Sequence, residues 1–168
     1  MTMPNPITED HPKPPIAASQ VPARLTPSNY PSIFAIQMVG RKKQALGDYF
    51  GLNNFGVNLT ELQPGARSSL VHYHTRQDEF IYVLEGCVTL ILGDSELLLQ
   101  AGMCCGFPAM GAAHSLINHS DKMVRYLEIG DRTEGDEGIY PQDDLQALRV
   151  DGRWQFVHKD GRPYGTDV

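Results

Sequence analysis

Beyond its first thirty residues the chain is cut into short apolar runs by turn residues, and that rhythm limits it to all-β architectures. The runs fall at 33–38, 55–62, 69–74, 79–84, 87–92, 96–99, 114–118 and 124–129. The breaks carry Pro64-Gly65, Glu85-Gly86, Gly93-Asp94, Ala101-Gly102, Pro108 to Gly111 and His119 to Lys122. Eight short strands at this spacing predict an antiparallel sandwich or barrel. Gly93-Asp94, between two apolar runs, predicts a tight hairpin. One helical turn is expected near 144–148, followed by an extended tail over 148–157. Trp154 and Phe156 alternate in that tail and are expected to cover the end of the barrel.

Residues 1–31 hold Pro4, Pro6, Pro12, Pro14, Pro15, Pro22, Pro27 and Pro31. Proline lacks the backbone N–H that helices and interior strands need, so this segment reads as an extended arm before a single domain at 32–168. The arm is too proline-broken for a helix-turn-helix. A formal net charge of -6 argues against nucleic acid and anionic membrane as partners. Arg41-Lys42-Lys43 is the one basic run, and it reads as a solvated turn. The start, Met-Thr-Met-Pro-Asn-Pro, has neither a basic region nor an apolar one, and no stretch reaches membrane-span length. Three cysteines, Cys87, Cys104 and Cys105, are an odd count, which suggests reduced thiols and a cytoplasmic protein. The adjacent Cys104 and Cys105 read as small buried apolar residues rather than a redox pair.

Chemistry concentrates in four residues. His72 and His74 stand two apart, so on a strand both imidazoles project to one face. Glu79 is an odd number of positions from both and cannot share that face on a straight strand. The polar stretch Thr75-Arg76-Gln77-Asp78 can turn, letting Glu79 open an adjacent antiparallel strand. His114 opens a later strand. A single strand histidine is usually a satisfied polar residue, and a pair at this spacing can arise by chance. Glu79 is harder to dismiss, because a carboxylate opening the apolar run Phe80-Ile81-Tyr82-Val83-Leu84 needs a partner against desolvation. Three imidazoles and a carboxylate are a full ligand set for one divalent transition metal. His11, His119 and His158 lack such neighbours and read as surface residues.

The chain resembles the cupins. One cupin motif matches Gly65, His72, His74, Glu79 and Gly86, and the other matches Gly102, Pro108, Gly111, His114 and Asn118. One extra residue precedes His72 and one lies between Pro108 and Gly111. A bulge or turn absorbs both, although the first leaves the parity of Arg67 and Ser68 open. Further stretches, at 51–59, 126–130, 140–141 and 160–164, resemble small single-domain bacterial cupins. The resemblance implies a double-stranded β-helix, or jelly-roll barrel, with His72, His74, Glu79 and His114 on the metal.

Fe, Mn, Ni, Co or Zn would all be accepted by such a set. Dioxygenase, isomerase and decarboxylase chemistry on a small polar or carboxylated molecule are all open, because fold alone does not choose. The alternative is a non-catalytic small-ligand binding or sensing module that uses the metal as an anchor. A wide cavity with polar walls would favour the enzyme. No catalytic acid or base is named: Tyr73 and Tyr82 should face away from the cavity, and the parity of Arg125 and Glu128 is ambiguous. Residues 87–92 and 97–99 are apolar on both faces, which predicts a homodimer, with the arm as a candidate clasp.

Overall fold

The computed structural model describes residues 13–25 and 28–164. Twelve antiparallel strands are named among them: β1 (Arg41–Ala45), β2 (Phe55–Leu62), β3 (Tyr73–His74), β4 (Glu79–Glu85), β5 (Cys87–Leu92), β6 (Ser95–Gln100), β7 (Cys104–Phe107), β8 (His114–Ile117), β9 (Val124–Asp131), β10 (Glu137–Tyr140), β11 (Leu145–Val150) and β12 (Arg153–Val157). They form three sheets, ordered β1-β2-β9-β4-β7, β12-β11-β10-β3 and β6-β5-β8. This is an all-β jelly-roll architecture, as the strand rhythm predicts. The β5–β6 hairpin turns at Gly93-Asp94, with Leu92 opposite Ser95 and Gly93 at φ 56°. Glycine reaches that left-handed conformation without a Cβ clash.

Two apolar cores flank the centre of the molecule. Leu62, Ile81, Val83, Val88, Leu90, Leu116, Val124 and Tyr126 belong to the first. Met38, Leu70, Tyr140, Leu145 and Ala147 form the second, with Tyr30, Phe34, Trp154 and Phe156 packed against it. Trp154 and Phe156 also line the central cavity.

Several local expectations are corrected. Residues 33–38 are not a strand: they form the short helix α1 (Ser32–Ala35) and a 3-10 turn at Ile36–Met38. The reason is their period. Phe34 and Met38, four apart, turn inward, whereas Ile33 and Ile36 are exposed. Arg41-Lys42-Lys43 is not a solvated turn but most of β1, paired with β2 from Arg41↔Leu62 to Ala45↔Asn58. Its inner face lines a polar cavity, so it lacks the apolar alternation that marks an ordinary half-buried strand. The helical turn expected near 144–148 is replaced by β11, whose Leu145 and Ala147 alternate into the second core. A second short helix, α2 (Leu46–Phe50), was not anticipated. All three thiols are free, but Cys104 on β7 is exposed and the other two are only partly covered.

Candidate metal centre

The site lies where the two cores meet. β3 is only two residues long and is held by β10, through Tyr73↔Ile139 and His74↔Gly138. His72 precedes it in an isolated bridge with His114, closed by mutual N–H to carbonyl bonds of 3.1 and 2.8 Å. Met110 N–H donates to the His74 carbonyl at 2.8 Å, so the proline-glycine turn also braces this segment. Glu79 opens β4 after a turn, as expected. All four residues reach one point. Glu79 Oε2 stands 3.7 Å from His72 Nε2, 3.6 Å from His74 Nε2 and 3.0 Å from His114 Nε2. His72, His74 and Glu79 each offer a ligand atom within 4.8 Å of the others.

Stacking and hydrogen bonds fix the rings. Phe107, from the first core, lies flat on His114 with centroids 3.6 Å apart and planes at 3°. Tyr140, from the second, stacks on His72 at 5.4 Å and 15°. His72 Nδ1 donates to the Leu70 carbonyl at 3.0 Å, and His74 Nδ1 donates to Asp136 Oδ2 at 2.6 Å. With Nδ1 protonated, Nε2 of each ring presents its lone pair inward. The Nε2 lone pairs of His72 and His74 point at a carboxylate oxygen and repel it unless a cation lies between them. The donor set therefore fits a divalent metal, and His72, His74, Glu79 and His114 are the residues that would hold it.

The electrostatics differ from ligand to ligand. Burial pushes the His72 imidazole down to about 4, against the attraction of Glu79, so the ring is neutral and able to ligate at neutral pH. Burial works to raise the Glu79 carboxyl, but the His114 hydrogen bond and the charges of His72 and His74 hold it well below the usual range. Burial likewise opposes charge on His74, yet Asp136 and Glu79 outweigh it and raise that imidazole.

Asp136 was missed by sequence reasoning. It is fully buried, and besides His74 it accepts from Thr75 Oγ1 (3.3 Å) and from the backbone N–H of Arg76 (2.7 Å) and Gln77 (3.2 Å). It therefore holds the turn between His74 and Glu79 as well as one ring. No local pattern marks it, because its partners lie about sixty positions earlier in the chain.

The ligands open onto a cavity of about 390 Å³. Arg41 and Lys43 on β1, Ser68, Gln77, Tyr126 and Glu128 face it, with Tyr30, Tyr140 and Trp154. Lys43 Nζ donates to both Glu128 oxygens at 2.6 and 2.9 Å, and Asn58 Nδ2 donates to Glu128 Oε1 at 3.2 Å. Two parity questions are thereby closed. Glu128 faces inward, whereas Arg125 faces outward, onto Glu61 and Glu85. Ser68 faces the cavity, and Arg67 points to Gln37 at the surface. Tyr82 faces outward and is partly exposed; Tyr73 does not line the cavity. His119 is exposed, and His158 pairs with Asp144 at 2.8 Å, far in sequence from the ligands. His11 lies outside the described residues.

A cupin-domain family model matches residues 58–130, which include all four candidate ligands. A search of the curated proteins found no match. Among solved structures, a cupin-superfamily sugar phosphate isomerase from Silicibacter pomeroyi is 37% identical, with a TM-score of 0.84, over 92% of this chain and 98% of that one. A proposed sugar phosphate isomerase from Acidithiobacillus ferrooxidans is 31% identical, with a TM-score of 0.67, over 76% of this chain and 81% of that one. The polyketide cyclase RemF from Streptomyces resistomycificus, 20% identical with a TM-score of 0.59 over 71% of this chain and 79% of that one, shares the fold. Sequence identity over nearly the full length, together with the matched motifs and the jelly-roll strands, shows that this chain belongs to the cupin superfamily.

Proposed function

We propose that this protein is a metal-dependent isomerase acting on a phosphorylated sugar, with His72, His74, Glu79 and His114 holding one divalent transition metal. The observation that carries the reading is the coincidence of a preorganised donor set with near full-length similarity to a sugar phosphate isomerase. The cavity walls support an enzyme over a sensing module. At about 390 Å³ with several charged side chains, the space suits a small polar molecule. A bound metal would supply Lewis-acid polarisation of a substrate carbonyl. The chain supplies the rest. Aldose–ketose interconversion moves a proton between adjacent carbons, which needs a base in the cavity. Among the described lining residues, Glu128 is the carboxylate that the histidines do not engage. It neighbours Glu79 across the β4–β9 ladder, where Glu79 pairs with Gly130 and Ile81 with Glu128. Lys43 and Asn58 hold Glu128 in place, and its Oε2 would accept and return the proton.

The test is elemental analysis of protein purified without added metal, followed by proton NMR of sugar phosphates in D2O. Isomerisation that stops on chelation, returns with one of Fe, Mn, Ni, Co or Zn, and places deuterium on the exchanged carbon is expected. Sugar phosphate binding without turnover under every metal would instead establish the binding module.

We further propose a homodimer formed through the exposed apolar side chains of the sheet faces. Leu98 on β6 is 57% exposed, Leu84 on β4 43% and Met103 44%. Exposed large apolar side chains on a sheet face are candidates for an association site. Described arm residues lie on their own barrel, with Ala23 bridging Gln44 and Val21 buried, so a clasp role falls to residues 1–12, outside the described residues. Light scattering at micromolar concentration should give twice the chain mass, and Leu84→Lys together with Leu98→Lys should halve it. A wild-type monomer would reject the interface. Free thiols at all three cysteines accord with a cytoplasmic setting.

A further inference from the structure

The inner face of the five-stranded sheet is bare beside the metal centre. One rung of that sheet runs Gly56–Gly130–Glu79–Phe107 across β2, β9, β4 and β7. Glu79 and Phe107 turn inward on it, the first to the histidine cluster and the second onto His114. Gly130 stands two positions from the inward Glu128 on β9, and Gly56 two from Asn58 on β2, which donates to Glu128. Both glycines therefore share the inner face.

Neither glycine is explained by the backbone or by packing. Glycine inside a strand adds no side-chain contact and loses more chain entropy on folding than any other residue. It is needed where φ is positive or where another backbone approaches closely. At this pair neither φ lies in the left-handed region. A Cβ on Gly130 would lie 3.6 Å from Glu79 Cγ and from the Asp78 carbonyl oxygen, and one on Gly56 3.6 Å from Arg132 Nη2. Those are ordinary contacts. Gly47 shows the contrast, since a Cβ there would meet the Val57 nitrogen at 2.9 Å. The remaining cause is the approach of a ligand. Both glycines are partly exposed and line a cavity of about 580 Å³. It shares Asn58, Gln77, Glu79, Glu128 and Trp154 with the cavity at the histidines, so the two adjoin over the glycine pair.

We infer that the Gly56–Gly130 pair is the surface on which the hydroxylated carbon chain of the substrate lies, and that the missing side chains decide which molecules reach the metal centre. The inference rests on the reading of this cavity as the substrate site and deepens it. A molecule lying on Gly130 has Glu79 beside it across β4 and Glu128 two residues, roughly 7 Å, along β9. That is the reach of a short carbon chain, with one end at the metal centre and the next carbons before the proposed base. The polar edges of Asn58, Gln77 and Glu128 and the ring of Trp154 suit a polyol, which carries hydroxyls on an apolar skeleton.

Cobalt(II)-loaded protein tests this, because its visible spectrum reports molecules that reach the ion. Azide, which is small, and gluconate, a polyol carboxylate, are titrated into the wild type, Gly130→Ala and Gly130→Val. Both should perturb the wild-type spectrum. Gluconate binding should weaken by about tenfold in Gly130→Ala and about a hundredfold in Gly130→Val, the usual range for overfilling a fitted space. Azide binding and cobalt content should stay unchanged. The Tm of metal-free Gly130→Ala should hold or rise by about 1–4 °C, because alanine loses less entropy than glycine. That variant keeps the test valid should Gly130→Val fold poorly, which circular dichroism would reveal. A lowered Tm in Gly130→Ala, gluconate binding that the substitutions leave unchanged, a wild type blind to gluconate, or azide lost together with gluconate overturns the inference. A wild type that takes up no cobalt overturns the metal centre and the inference with it. Selective loss of gluconate in a protein that isomerises no sugar phosphate overturns the isomerase and leaves the glycine surface standing.

Discussion

Replacing His72 and His74 together with alanine is expected to abolish metal occupancy while leaving the barrel folded. The two rings supply two of the three imidazole nitrogens around Glu79 Oε2. Losing one supporting hydrogen bond alone typically lowers metal affinity ~10–100-fold, and losing two donors exceeds that. The fold should survive, because both rings line the cavity between the cores rather than belonging to either. Elemental analysis should show a metal content near one per chain in the wild type and close to none in the variant, with unchanged circular dichroism. Full occupancy in the double variant would place the metal elsewhere. His114→Gln provides an independent check, since it keeps the size of the side chain stacked on Phe107 while removing the imidazole.

Asp136→Ala carries the second large effect, and it acts on both binding and stability. The carboxylate orients His74 and ties down Thr75, Arg76 and Gln77. Its removal leaves several buried donors without an acceptor, and breaking a buried, hydrogen-bonded charge pair costs roughly 3–5 kcal/mol. Metal affinity should fall by ~10–100-fold, the usual consequence of losing a partner behind a histidine ligand. Asp136→Asn keeps an acceptor oxygen and should lose less of both. A pH signature follows. Burial works to raise the Asp136 carboxyl, but the His74 bond and the Arg76 and Gln77 amides outweigh it and hold it below the ordinary value. The stabilisation is therefore fully present above the unfolded carboxylate pKa, near ~4, and is lost as pH falls through the lower folded value. Urea melts of the metal-free wild type and of Asp136→Ala should converge towards acid. Curves separated by a constant amount from pH 7 down to acid would assign the loss to packing rather than to the carboxylate's charge.

The clustering of the candidate ligands was legible in the sequence because two local rules sufficed. Alternation put His72 and His74 on one face, and the polar stretch after them allowed Glu79 to return on β4. The strand rhythm was equally legible, since Gly93-Asp94 and its neighbours punctuate apolar runs. The missed features share a different cause. β1 faces a charged cavity, so its inward residues are Arg41 and Lys43 and its pattern mimics a solvated turn. Residues 33–38 contain enough apolar side chains to pass as a strand, and only packing showed that Phe34 and Met38 are the inward pair. Asp136 and Tyr140 act on residues more than sixty positions away, where a pattern read along the chain has no purchase.

The brace that β10 gives to β3 also bears on the order in which a ribosome would deliver this protein. A nascent chain that has emerged through Asp131 already contains His72, His74, Glu79 and His114 and has the whole five-stranded sheet available. It still lacks Asp136 and the Gly138 and Ile139 backbone that pins the two-residue β3. Until then His74 has no fixed tautomer, and the donor set is present in composition but not in geometry. If these four residues hold a metal, its capture would wait until residues 136–139 have emerged.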